Sequence, residues 1–149
     1  MRNLLIVSHV PSDNTLQLAQ WVVSGAGSGK VKVEFTRPLQ TGPEQVLSAD
    51  GIILGTTESF GYMSGAMKDF FDRIYYACLE ETRGLPYALF IRAGQDGQGA
   101  KTSIERIVTG LGWRAVQEPL ICKGDVSQFQ EPCHQLGALM AMGLEQAIF

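Results

Sequence analysis

Two polar, glycine-framed stretches carry the residues best suited to chemistry. One is Ser8-His9-Val10-Pro11-Ser12-Asp13-Asn14-Thr15. The other runs from Gly55 through Thr56-Thr57-Glu58-Ser59-Phe60-Gly61-Tyr62-Met63-Ser64 to Gly65. Each follows a short apolar run, Leu4–Val7 or Gly51–Leu54, and each leads into a segment with helical apolar spacing. The first stretch offers hydroxyl and amide donors at Ser8, Ser12, Asn14 and Thr15 just before a helix, where free backbone N–H groups and the helix dipole favour an anion. The bland alternative is that Ser12 or Asn14 merely caps that helix. The second stretch has Gly55 and Gly61, which let the backbone approach a flat ligand, and Phe60, Tyr62 and Met63 to pack on its rim or face. Its bland alternative is a plain turn with Phe60 and Met63 in the core. Together they suit a phosphorylated, planar ligand.

The elements that must hold these loops alternate. Asn3–Ser8 reads as a strand, Asn14–Ala26 as a helix, and Val31–Thr36 as a second strand. Pro38–Ser48 is mostly loop with a short helix from Pro43 to Leu47. Gly51–Gly55 is the third strand, Ser64–Leu79 a strong helix, and Pro86–Ala93 a near-continuously apolar fourth strand. Gly97–Leu111 is a helix and Arg114–Cys122 the fifth strand, where Pro119 suits a sheet edge. Glu131–Gln146 is the last helix, with Pro132 in its first turn. Strict alternation implies a parallel sheet covered on both faces, and ligands of such sheets sit where strand order reverses. With the loops after strands 1 and 3 as the site, the expected fold is α/β, a flavodoxin-like three-layer sandwich. Its five-stranded parallel sheet runs 2-1-3-4-5, with flavin mononucleotide (FMN) as the fitting ligand.

Composition narrows the alternatives. The 149 residues suit a single domain, 1–149. Twelve Lys and Arg against fifteen Asp and Glu give a net charge of −3, which argues against nucleic acid as a partner. No apolar run reaches the length of a membrane span, and the start of the chain is too short for a secretory signal, so a cytoplasmic protein is expected. Cys78, Cys122 and Cys133 form no CxxC pair and read as buried thiols, with no metal site. No catalytic residue is assigned, because a flavin carries the hydride and electrons itself.

Residues 55–73, Gly-Thr-Thr-Glu-Ser-Phe-Gly-Tyr-Met-Ser-Gly-Ala-Met-Lys-Asp-Phe-Phe-Asp-Arg, resemble the flavin loop and helix of the flavodoxin-like NAD(P)H:quinone oxidoreductases of the tryptophan-repressor-binding-protein type. They also resemble the wider NADPH-dependent FMN reductases. The family pattern is Gly-Thr-Pro-Thr-x-Phe-Gly-Asn-Met-Ser-Gly-x-Met-Lys-x-Phe-x-Asp. The resemblance implies that Ser8, Val10, Ser12, Asn14 and Thr15 hold the phosphate, and that Thr57, Glu58, Ser59, Phe60, Gly61 and Tyr62 line the ring. It implies a third flavin loop at Ala93, Gly94, Gln95, Asp96 and Gly97. Two departures stand out: the family's Pro-Thr is Thr57-Glu58 here, and its Asn is Tyr62. The chain is also shorter than such quinone reductases, which leaves their quinone substrate and tetramer outside what the resemblance carries over.

The implied function is an FMN-dependent oxidoreductase that takes hydride from NAD(P)H and passes it to a quinone, flavin or similar small acceptor. The competing reading is a flavodoxin-type electron carrier that docks to redox protein partners. A non-redox module and assembly into a homo-oligomer stay open. The third loop has no aromatic, which favours an open flavin face and the reductase.

Overall fold

The computed structural model describes residues 1–149. Five strand positions form a parallel sheet. They are β1 (Asn3–Ser8), β2 (Lys32–Thr36), β3 (Gly51–Ser59), β5 (Pro86–Ala93) and a broken last position, β6 (Arg114–Ala115) with β7 (Leu120–Lys123). Spatial order is β2-β1-β3-β5 and then β6 and β7, both parallel to β5. This is the expected 2-1-3-4-5 arrangement of a three-layer α/β sandwich.

Side chains along each strand point alternately to the two faces. Leu5, Val7, Ile52, Leu54, Leu89 and Ile91 join one core with Met67, Phe70, Phe71, Ile74, Ile104 and Val108. These last belong to α3 (Gly65–Cys78) and α4 (Gln98–Leu111). Leu4, Ile6, Ile53, Ala88 and Phe90 join the other core with residues of α1 (Asp13–Ala26) and α5 (Gln130–Glu145). Burying a large aliphatic or aromatic side chain contributes about 1.5–3 kcal/mol, so the two filled faces stabilise the sheet that carries the loops. A short helix, α2 (Pro43–Leu47), lies where the sequence places it.

Two elements differ from the sequence reading. The third strand continues past Gly55 to Ser59 and folds back as β4 (Tyr62–Met63), an antiparallel two-residue strand outside the main sheet. The fifth strand is interrupted between Ala115 and Leu120, because Pro119 has no N–H to give a ladder. No helix is long and apolar enough to cross a membrane. Cys78, Cys122 and Cys133 are buried and unbridged; burial pushes the Cys78 thiol up to about 11.

Candidate functional site at the carboxyl edge of the sheet

Strands β1, β3 and β5 end side by side, and the three loops expected to bind a ligand leave from those ends. The first is tied down at once: the His9 N–H donates to the Gly55 carbonyl at 2.9 Å. Ser12 then caps α1 with extended backbone. Its Oγ accepts from the Thr15 N–H at 3.3 Å, while Thr15 Oγ1 accepts from the Ser12 N–H at 3.0 Å and donates to the Ser12 carbonyl at 2.9 Å. These two hydroxyls therefore make a reciprocal cap, the blander of the two sequence readings. The donors left over are different ones. The N–H groups of Val10, Asp13 and Asn14 have no acceptor in the chain, and the Asn14 side chain is exposed and unbonded. Ser8 is buried below them. Asp13 puts a carboxylate in the same first turn.

Arg92 was not singled out in the sequence. It sits on β5 and, with Ser8, His9, Thr15, Thr56 and Phe90, lines a narrow recess under the first loop. Its guanidinium donates to the carbonyls of Cys122 at 3.2 Å and Gly124 at 2.6 Å. The one signal for it was a cation inside an otherwise apolar strand. Burial holds the His9 imidazole below its ordinary value of 6.5, favouring the neutral ring. Beyond the loop, His9, Val10, Pro11, Arg37, Leu39 and Ala66 help line an open cavity of about 370 Å³.

The second loop is a β-hairpin. Glu58 pairs with Met63 and Ser59 with Tyr62, leaving Phe60 and Gly61 as a two-residue turn. Both have positive φ, 53° and 70°. Hairpin turns of this kind demand that conformation at both central residues. Gly61 adopts it freely, whereas Phe60 does so against its Cβ. Phe60 projects fully into solvent, Tyr62 is partly exposed, and nothing lies within 4 Å of a Cβ placed on Gly61. Thr57 Oγ1 and Ser59 Oγ stand 3.4 Å apart on the strand before the turn. Ser64 caps α3, its Oγ accepting from the Met67 N–H at 3.1 Å, and its own N–H donates to Thr56 Oγ1 at 3.0 Å.

The third loop, Ala93–Gly97, carries no aromatic. Gly94, Gln95 and Asp96 are exposed. Asp96 Oδ1 accepts from the Gln98 N–H at 3.0 Å. Gly97 caps α4 in the left-handed region at φ 73°, with no side-chain cap of its own. That role is taken from the second loop. The Glu58 carboxylate accepts from the N–H groups of Gly97 (3.2 Å), Gly99 (3.1 Å) and Ala100 (3.3 Å). The fold thus brings all three loops to one edge, with the side chains of Ser12 and Thr15 capping α1 and that of Glu58 capping α4.

The family model of the NADPH-dependent FMN reductases matches residues 34–123. A flavodoxin of Aquifex aeolicus (strain VF5) is 30% identical over 112 residues, 74% of this chain and 60% of that protein. The chain thus spans about three fifths of that relative's length. Among solved structures, a flavodoxin from the domain Archaea superposes with a TM-score of 0.81 at 20% identity, covering 95% of this chain and 98% of the other. The two-electron reduced flavodoxin of Megasphaera elsdenii gives 0.79 at 19% identity over 93% and 98%. A WrbA-like flavodoxin from Agrobacterium tumefaciens gives 0.73 at 17% over 98% and 99%. At such identities the superpositions speak for the fold; the family match covers more than half of the sequence, and the chain belongs to the NADPH-dependent FMN reductase family, built on a flavodoxin-like fold.

Proposed function

We propose that the chain binds FMN at the carboxyl edge of its sheet and works as a flavodoxin-type electron carrier. The observation that carries the FMN site is the trio of unpaired N–H groups at Val10, Asp13 and Asn14, at and just before the start of α1 and at the point where strand order reverses. An anion satisfies those groups and gains from the helix dipole. The Arg92 guanidinium in the recess adds positive potential, while the Asp13 carboxylate opposes it. A Cβ placed on Gly61 or Gly94 meets nothing within 4 Å, so the tips of the second and third loops are open to a flat ring. Bound FMN supplies the redox chemistry. The protein's part is to hold and orient: Val10, Asp13 and Asn14 on the phosphate, main-chain groups of Thr57–Gly61 and Ala93–Gly97 on the ring edge, and Phe60 and Tyr62 at its rim. Glu58 is engaged by α4, so its carboxylate holds the second loop in place rather than facing the ring edge.

The relatives named flavodoxin support the carrier reading, in which a redox protein docks over this edge. One observation favours the second reading, a reductase using NAD(P)H and a small-molecule acceptor. The third loop has no aromatic and Phe60 points outward, so one ring face is left uncovered for a nicotinamide. The family match points the same way.

Anaerobic mixing separates them. FMN-loaded protein is exposed to NADH or NADPH, and separately to dithionite followed by a one-electron acceptor such as cytochrome c. The carrier reading expects no bleaching by either nicotinamide over minutes and fast electron delivery after dithionite. Bleaching by NADPH within seconds replaces it with the reductase.

A further inference from the structure

We infer that Glu58 is a positioning residue that locks the β3–β4 hairpin to the first turn of α4 and lowers the reduction potential of a flavin bound beside them. The inference rests on the FMN reading above. The carboxylate reaches N–H groups 39 to 42 positions away in sequence, at 3.1–3.3 Å, and both of its oxygens are used. Helix N-terminal donors are ordinarily satisfied by a residue next to them, and here Gly97 has no side chain to offer. Two further contacts make the same connection. The Met63 N–H donates to Ser103 Oγ at 3.1 Å, and Ser103 in turn donates to the Ala100 carbonyl at 2.9 Å. The backbone of Gly61 rests so closely on Gly99 that a Cβ there would lie 2.8 Å from Gly61 Cα and closer still to its carbonyl. The second and third loops therefore move as one body with α4.

The electrostatic consequence follows from where the carboxylate sits. A bare helix N-terminus beside a flavin would stabilise the negative charge that the flavin gains on reduction. Glu58 takes those N–H groups and adds a full negative charge, so reduced FMN is disfavoured against oxidised FMN. For a separation of about 12 Å and an effective dielectric constant of about 20, a unit charge changes such a ratio by about tenfold. A tenfold change is about 59 mV for a one-electron step.

Three variants of the full chain test this: Glu58→Gln, Glu58→Ala and Glu58→Asp. Amide hydrogen exchange is followed in the FMN-free protein, and oxidised-FMN affinity and midpoint potential in the loaded one. In Glu58→Ala, exchange at Gly97, Gly99, Ala100 and the hairpin rises together by tenfold or more, with the sheet core unchanged. Glu58→Gln keeps one acceptor oxygen, so Gly99 and Ala100 stay within about threefold of wild type while Gly97 is exposed. Its potential still rises by the equivalent of about tenfold. Glu58→Asp keeps the charge but not the reach, so exchange rises while the potential moves less than in Glu58→Gln. Unchanged exchange in Glu58→Ala overturns the cross-link. A potential in Glu58→Gln within twofold of wild type overturns the electrostatic part. Failure of the wild-type chain to bind FMN overturns the function proposed above and the potential effect with it, and the exchange data then judge the cross-link separately.

Discussion

Substituting Gly99 by Ala probes the contact on which the site's geometry depends. The new Cβ would overlap the Gly61 carbonyl and stand 2.8 Å from Gly61 Cα. Those are backbone atoms, so no rotamer change relieves the clash; the hairpin must lift or the first turn of α4 must shift. Forcing extra volume into a tight contact costs about 1–3 kcal/mol. Replacing Gly within a helix returns up to about 1 kcal/mol, less so for a residue as close to the helix start as Gly99. The net expectation is a loss of about 1–2 kcal/mol in stability. Two neighbours serve as controls. Gly61→Ala meets no atoms but must hold φ 70°, a backbone cost of about 1–2 kcal/mol. Gly94→Ala has open space and no positive φ, and should be within about 0.5 kcal/mol of wild type. Urea unfolding gives the stabilities and flavin-fluorescence quenching gives the FMN affinities. Gly99→Ala should weaken FMN about tenfold, since displacing the hairpin costs about one hydrogen bond's worth of ring contact. A Gly99→Ala protein as stable as Gly94→Ala, with unchanged affinity, would refute the idea that the hairpin is seated on α4.

Ser12→Ala should cost about 1 kcal/mol of stability, because it removes the cap of α1. Asn14→Ala should leave stability unchanged and weaken FMN about fivefold without affecting riboflavin, both read by the same titrations. His9 predicts a pH effect. Its folded-state value is depressed below 6.5 by burial, so below pH 6.5 the unfolded chain binds more protons and stability falls as pH drops. Above that pH the term vanishes. His9→Asn should flatten the loss between pH 6.5 and 5 in urea midpoints, and identical slopes for both proteins would contradict it. Gln95→Trp adds an aromatic at an exposed position of the third loop. It should tighten FMN by about 0.5–1.5 kcal/mol and slow any bleaching by NADPH.

Much of the architecture could be read from residue patterns. Short apolar runs in β1 and β3, two-residue alternation in Val31–Thr36, continuous apolar character in Pro86–Ala93, and three- and four-residue spacing in α3 and α4 were enough for the layers and strand order. The hairpin was not legible. A two-residue turn of this type is signalled by Asn-Gly, whereas here Phe60 precedes Gly61 and takes a conformation its side chain disfavours. Glycines at 55 and 65 made the whole stretch look like loop. The break before β7 was half visible, since Pro119 suggested an edge but not an interruption. At the site, the hydroxyls of Ser12 and Thr15 also cap α1, a role that the Ser-x-x-Thr spacing signals alongside an anion site. Glu58 and Arg92 act across sequence separations of 30 or more, through partners that no local spacing reveals.

The central claim is that FMN is held with its phosphate at the start of α1. Amide chemical-shift mapping of the 15N-labelled protein, titrated with FMN and then with riboflavin, tests it most directly. The account predicts saturable FMN binding, with the largest shifts at Val10, Asp13 and Asn14 and further shifts in Thr57–Gly61 and Ala93–Gly97. Riboflavin should shift the last two loops alone, with at least tenfold lower affinity. Shifts elsewhere on the molecule, or equal affinity for the two ligands, would contradict it.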